Sequence, residues 1–311
     1  MATMMALRAH ARGGPDQLVY EQAPVPAPGP GEALVAVRAA GITFAELSWD
    51  LTWTTSDGVD RTPTIPAHEL SGVVTALGDG VAGLAVGDPV LGLIDFDRNG
   101  AAAQFAVVPA ASLARKPAAV PDPAAATLPL AGMTAWQALV DHARLAAGER
   151  VLVQGGAGGV GGFAVQLAAS LGGHVTATGR ASDADFVRSL GAERFWAADD
   201  LGDRGDGEFD VVIDTVGGPV LADSYRLLRP GGRLVTLSGP PDQAEAARCK
   251  VTAMFFVVSA DRDALSGLAE RAADGSLRTF ISREFPLAEG RQAYESGRGP
   301  HRPSKTVLIV S

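Results

Sequence analysis

The chain has 311 residues, 47% of them apolar and 20% charged, enough for two packed cores and too apolar for a disordered chain. A net charge of −9 argues against nucleic acid or an anionic membrane as partner. The single cysteine, Cys249, excludes an intrachain disulfide framework and a cysteine-rich zinc site, and suits a reducing cytoplasm. Residues 1–10 hold no long apolar core, and no window of spanning length is free of Gly, Pro and charge. A soluble cytoplasmic protein with no membrane partner is therefore expected.

Residues 1–120 read as β-rich. The run Pro24-x-Pro26-x-Pro28-Gly29-Pro30-Gly31 cannot be helix interior, and 32–38 after it reads as a strand. Residues 70–77, 89–94 and 103–109 are further short strands, the first pair set apart by Gly-Asp turns, which suggests a small barrel or curled sheet. From about 121 helices and strands alternate. The pattern predicts a helix over 134–145, with Thr134-x-x-Gln137 as a capping box. It then predicts strands over 151–153, 174–178, 211–214, 233–238 and 254–258, with helices near 160–171, 182–190 and 219–228 between them. A helix over 261–273 and a strand over 305–310 follow. Such alternation calls for a doubly wound parallel sheet with helices on both faces. The fold class is α/β. A Rossmann unit over 121–260 is inserted into a β-rich substrate domain made of 1–120 and 261–311, and the active site is expected in the cleft of such a pair.

One stretch carries most of the chemistry. After the strand at 151–153 comes Gly156-Ala157-Gly158-Gly159-Val160-Gly161, then a helix with Val160, Phe163, Ala164, Leu167, Ala168 and Leu171 on one face. In such a turn the first glycine permits the bend and the second lets a pyrophosphate reach the backbone. The third lets helix and strand pack closely, and N–H groups at the helix start face the phosphates. Strand before, helix after and a second strand at the right distance make this a dinucleotide site. That second strand ends in Thr178-Gly179-Arg180. An acid there would bind a ribose 2′-hydroxyl; it is absent, and a guanidinium suited to a 2′-phosphate stands in its place, with Ser182 near, so NADP(H) is expected. Val216, Leu237 and Ser238 follow later strands at the carboxyl edge that dinucleotides cross.

Together the motifs resemble the medium-chain dehydrogenase/reductase superfamily, in its zinc-free quinone oxidoreductase (zeta-crystallin-like) branch. The resemblance runs the whole length. It rests on Ala39-Ala40-Gly41-Ile42-Thr43, Ile65-Pro66-Ala67-His68-Glu69-Leu70-Ser71-Gly72, Leu84-x-Val86-Gly87-Asp88-x-Val90, Gly132-Met133-Thr134-Ala135, the glycine turn, Asp214-Thr215-Val216-Gly217-Gly218 and Pro230-Gly231-Gly232. It implies a GroES-like substrate domain, a Rossmann domain and a homodimer, here expected to pair the strand at 254–258 across a two-fold axis. It places Thr134 on the nicotinamide side, runs Phe255, Phe256 and Val257 past the nicotinamide, and gives Lys305 a phosphate-side contact, although Ser304 replaces the family's glycine. In zinc members a cysteine of the first segment, the histidine of Gly-His-Glu and a third ligand hold the metal. This chain has Ala67-His68-Glu69 and Thr43-Phe44-Ala45-Glu46, so no metal is expected and His68 reads as a hydrogen-bonded packing residue. Where zinc-free members carry Asn, Asp and Tyr, this chain has Thr43, Glu46 and Trp49, the expected pocket residues. Trp49 and Trp53 would wall the pocket, with residues 50–57 and 95–98 at its rim.

Without a metal to polarise an alcohol, a quinone or enone substrate is favoured. Hydride from NADPH would pass to an electrophilic carbon while the protein positions the acceptor and hydrogen-bonds the developing enolate. Two alternatives remain: a tailoring reductase of a secondary-metabolite pathway, and a non-catalytic NADPH-binding sensor or structural protein.

Overall fold

The computed structural model describes residues 2–198, 206–299 and 303–311. Two compact units result, one of Met1–Met133 with Ser259–Ser311, the other of Thr134–Val258. The first boundary thus falls at 133/134, not 120/121, and the second at 258/259, not 260/261. The intervening segment stays with the first unit because that unit's buried polar groups need it. Asp122 accepts the Ser71 hydroxyl at 2.6 Å, and the Leu130 N–H meets the Glu69 carboxylate at 2.8 Å.

In chain order the first unit supplies β1 (Thr3–Ala9), β2 (Leu18–Pro24), β3 (Glu32–Ile42), β4 (Glu69–Leu77), β5 (Pro89–Leu93), β6 (Phe105–Pro109) and β7 (Leu113–Arg115). The second supplies β8 (Arg150–Gln154), β9 (His174–Gly179), β10 (Arg194–Ala197), β11 (Phe209–Asp214), β12 (Leu228–Thr236) and β13 (Thr252–Phe255). After it β14 (Ile281–Pro286) and β15 (Lys305–Ile309) return to the first.

In the first unit β1 and β2 pair alone, and the larger sheet runs β14-β15-β3-β4-β5-β7, with β6 also on β3. β3 is its spine. Ala33, Val35 and Val37 alternate inward over its first half, and Ala39 to Ile42 are buried on both faces. The sheet is antiparallel except for β14 on β15. β1, β2, β7 and β14 are strands the pattern did not show. In β1 the adjacent Ala6 and Leu7 are both buried, which breaks the two-residue alternation.

The second unit is one parallel sheet in the order β10-β9-β8-β11-β12-β13. The chain leaves β8 in one direction and returns to β11 on its other side. The strand order therefore reverses between β8 and β11, where ligands of such sheets bind. Three local readings differ. Helical turns run through Leu128–Gly132, Met133–Gln137 and Ala138–His142, so Thr134 is interior and not a cap; the last stretch widens, Ala143 N–H bonding Ala138 C=O at 2.9 Å. Pro230-Gly231-Gly232 does not precede a strand but bulges within β12, between Leu228 and Arg233. A helix at Gln243–Cys249 went unread, although Asp242 caps it through the N–H groups of Ala244 (2.9 Å) and Glu245 (3.1 Å).

The helix Gly161–Ser170 sits hard against the turn that precedes it. A Cβ on Gly161 would lie 2.0 Å from the Gly155 carbonyl oxygen, backbone that cannot swing aside. Gly161→Val is expected to lower stability by at least about 1–3 kcal/mol, the usual range for overpacking, measurable by urea unfolding; an unchanged midpoint would contradict the packing role.

Candidate functional site

In the second unit the turn between β8 and the helix is held from its neighbours. Thr178 accepts the Gly156 N–H on its carbonyl (2.8 Å) and the Gly155 N–H on its hydroxyl (3.2 Å). The bend belongs to Gly155, at φ 75°, not to Gly156 as the motif suggested. A side chain at Gly155 would strike the Thr215 hydroxyl at 2.5 Å, and one at Gly156 would press on Ala177 of β9. Gly158 is different: a Cβ there meets only the Gly155 oxygen, at 3.2 Å, and its outer side is open. Ala157, Gly159 and Val160 complete the turn, so the motif's second glycine presents bare backbone and its third packs.

The facing loop is organised by Asp214, which sequence reasoning used only as part of a motif. It is fully buried at the end of β11. One carboxylate oxygen accepts the N–H groups of Val216 (3.0 Å) and Gly217 (2.9 Å). The other accepts the hydroxyls of Thr236 (2.8 Å) and Ser238 (3.0 Å). Four donors compensate a charge removed from water. Thr215 donates back to the Gln154 carbonyl at 2.7 Å, tying β11 to β8 at the reversal point. Val216, Leu237 and Ser238 thus stand together on this edge, Val216 half exposed. Thr178 is buried; Gly179 is partly buried; Arg180 beyond it is exposed, and no carboxylate pairs with it among the described residues. Thr134 is buried on its helix. Phe255, at the end of β13, and Val257, just past it, are exposed, while Phe256 lies against the His142 ring at 4.2 Å.

In the first unit Thr43, Glu46, Trp49 and Lys305 fall into one polar region. Glu46 is buried, and its carboxylate accepts the N–H of Ala67 (2.9 Å), the N–H of Thr43 (3.2 Å) and the Tyr294 hydroxyl. The Ala67 bond holds that residue at φ 70°, a conformation favouring glycine. Burial pushes the Glu46 carboxyl up to about 7, against the lowering pull of Tyr294, Ala67, Thr43 and the Lys305 charge. Burial, then the Glu46 charge, raises the Tyr294 phenol. Lys305 is also buried, its ammonium 2.6 Å from Glu69 Oε1 and 3.3 Å from Thr43 Oγ1.

His68 packs against Phe96 (5.1 Å between rings); its ring nitrogens meet no partner at full hydrogen-bond geometry among the described residues and have only weak contacts with the backbone of Asp95 and Ile94. Burial, helped by the Arg61 charge, pulls it down to about 4. Trp49 meets Phe96 edge-on at 5.5 Å and is partly exposed. Trp53 is buried, its indole N–H on the Leu47 carbonyl at 2.9 Å, so it packs the loop and does not wall a pocket. Arg61, unremarked in the sequence, pins that loop by donating to the carbonyls of Leu51, Thr52 and Phe96.

Residues 29–118 match the family model of the alcohol dehydrogenase GroES-like domain, and 182–308 that of the zinc-binding dehydrogenases. A probable zinc-binding oxidoreductase, mitochondrial, of Arthroderma benhamiae is 30% identical over 318 residues, covering 94% of this chain and 93% of that protein. The chain belongs to the medium-chain dehydrogenase/reductase superfamily, in its quinone oxidoreductase branch. The solved quinone oxidoreductase of Coxiella burnetii superposes with a TM-score of 0.89 at 28% identity over the full length of both chains. The spectinabilin polyketide synthase system protein NorB of Streptomyces orinoci is 41% identical over 249 residues; these cover 77% of this chain but 11% of NorB. The superfamily is one of oxidoreductases and implies a nicotinamide cofactor.

The open backbone at Gly158, the bond-held turn and the exposed Arg180 fit a dinucleotide. The superfamily's zinc does not fit. His68 Nε2 is 4.0 Å from Glu46, whose oxygens are already engaged, Glu69 is tied to Lys305 and Leu130, and no cluster of three His, Cys, Asp or Glu suited to a metal occurs among the described residues. No helix is long and apolar enough to cross a membrane among the described residues.

The Glu46 carboxyl binds its proton more tightly folded than unfolded. Its contribution to stability is present in full below pH 4.5 and is lost as pH rises through about 7. Relative to Glu46→Gln, the wild-type protein should lose stability between pH 4.5 and 8 with a slope approaching about 1.4 kcal/mol per pH unit. His68 acts in the opposite sense and cancels in this comparison. Parallel urea-unfolding profiles for the two proteins would show that Glu46 stays ionised throughout.

Proposed function

We propose that the protein is an NADPH-dependent, metal-independent reductase that transfers hydride to a quinone or an α,β-unsaturated carbonyl. The observation that carries this reading is the engagement of Glu46 by Thr43, Ala67 and Tyr294, which leaves His68 without a second ligand for a Lewis acid. The acceptor must then be activated by its own conjugated carbonyl. NADPH, when bound, supplies the hydride. The chain's residues do the rest. Backbone N–H groups of the turn at Gly156 to Gly161 take the pyrophosphate, and the Arg180 fork takes the 2′-phosphate. Leu237, Ser238 and Val216 border the dinucleotide, Thr134 and Phe255 to Val257 lie on its nicotinamide side, and Trp49 offers a flat face to a planar acceptor.

A second reading is supported by the identity to NorB: the acceptor is an unsaturated acyl intermediate of a polyketide-type assembly, reduced by the same hydride chemistry. We also propose a homodimer. β13 is the last strand of its sheet, with no partner on its outer side among the described residues; exposed Phe255 ends it and exposed Val257 follows it.

Arg180→Ala should weaken NADPH binding by about tenfold to hundredfold, the worth of a charge-assisted bidentate contact, and leave NADH nearly unchanged in a fluorescence titration; equal losses would sink the NADP assignment. NADPH oxidation should be seen with quinones, alkenals or unsaturated acyl thioesters, the preferred group separating the two readings. Sedimentation should give twice the mass of one chain, and a single-chain mass would refute the dimer.

A further inference from the structure

We infer that the buried Glu69–Lys305 ion pair acts on Thr43, making its hydroxyl the donor that holds the acceptor's carbonyl oxygen as negative charge builds there. The inference rests on the reductase reading above and adds to it the group that receives the charge. An ammonium only donates, so the 3.3 Å contact from Lys305 Nζ makes Thr43 Oγ1 an acceptor. The hydroxyl's own hydrogen must then go elsewhere, and no acceptor for it occurs among the described residues. Thr43 is only partly buried, whereas Lys305 and Glu69 are sealed off at 6% and 0% exposure. The hydroxyl is therefore the surface through which the pair's positive end reaches a ligand.

The groups around the hydroxyl are held by an ion pair and by backbone bonds. Glu69 gives one oxygen to Lys305 (2.6 Å) and the other to the Leu130 N–H (2.8 Å). The Thr43 backbone is clamped to Glu46, its N–H on the carboxylate (3.2 Å) and its carbonyl receiving the Glu46 N–H (3.0 Å). A donor held in place before the charge arrives needs no reorganisation when it does, and in low dielectric it is worth far more than in water. A lysine so enclosed and neutralised is also poorly placed to be the phosphate contact that the family resemblance suggested. In the reaction, hydride adds to the β-carbon, the C=C electron pair shifts to the carbonyl oxygen beside Thr43, and a proton from solvent at the α-carbon completes the saturated product. Thr43 donates a hydrogen bond and keeps its proton.

The test is steady-state kinetics with saturating NADPH and an alkenal, with NADPH affinity measured by fluorescence for each variant. Thr43→Val should lower kcat by about tenfold to hundredfold with little change in acceptor KM, and Thr43→Ser should restore it. The double variant Glu69→Gln/Lys305→Met removes the pair without leaving a lone buried charge, a change often neutral for stability. It should lower kcat while NADPH affinity holds, and adding Thr43→Val should cost little more, because the three act as one unit. Wild-type kcat in Thr43→Val, fully additive losses, or a double variant that loses NADPH affinity instead of kcat would each overturn the inference and leave the reductase reading intact. A wild-type protein that binds NADPH but turns over no quinone, alkenal or unsaturated thioester would overturn both.

Discussion

A carboxylate removed from water must find a donor for nearly every lone pair, and that requirement shapes both units. Glu46, Glu69 and Asp214 are each almost wholly buried. Each draws in distant parts of its unit. Asp214 gathers two loop N–H groups and two hydroxyls from the ends of β11 and β12, and Glu46 gathers Thr43, Ala67 and Tyr294. Glu69 takes a backbone N–H and an ammonium. The loops that would meet a dinucleotide or an acceptor are not free to wander, because their polar atoms are what keep these carboxylates satisfied. Stability and site geometry therefore rest on the same bonds.

The frame of the second unit was legible because parallel sheets bury both faces of their strands and advertise themselves as apolar runs separated by helices. Glycine spacing marked the turn after β8, and the departures there are local. Gly155 bends where Gly156 was expected to, since only the folded neighbour Thr215 reveals which residue lacks room for a side chain. The helix after Asp242 had its signal, an Asp three residues before a Glu, hidden by the prolines in front of it. Thr134 looked like a cap because Gln137 stands three residues after it, yet helical turns already run from Leu128, with Pro129 tolerated in the first of them.

The substrate-side region was less legible for a different reason. Thr43, Glu46 and Trp49 were found by position within a motif, which says where a residue stands but not what it touches. Tyr294 lies 248 residues from Glu46, and Lys305 lies 262 from Thr43. No local pattern of residues records such pairings. They exist because β15 runs antiparallel to β3, placing Thr306 opposite Ile42. The likeness between Trp49 and Trp53 was also deceptive: one indole N–H has a carbonyl within the loop and the other ring stays near the surface.

The pairing of β3 with β15 has a consequence for biosynthesis. Residues 134–258 form a contiguous block whose six strands need nothing from the rest of the chain to pair. The first unit must wait. Its spine strand emerges early, but β15 on one side of it and the side chains of Tyr294 and Lys305, 248 and 262 residues after Glu46 and Thr43, emerge on the order of ten seconds or more later at ordinary elongation rates. Until then the Ala39–Ile42 end of β3 lacks its partner on that side, and Glu69 is a carboxylate without its cation. The inserted unit can thus be folded while its host is still open, and the Thr43 hydroxyl stands without the buried cation beside it until Lys305 has emerged.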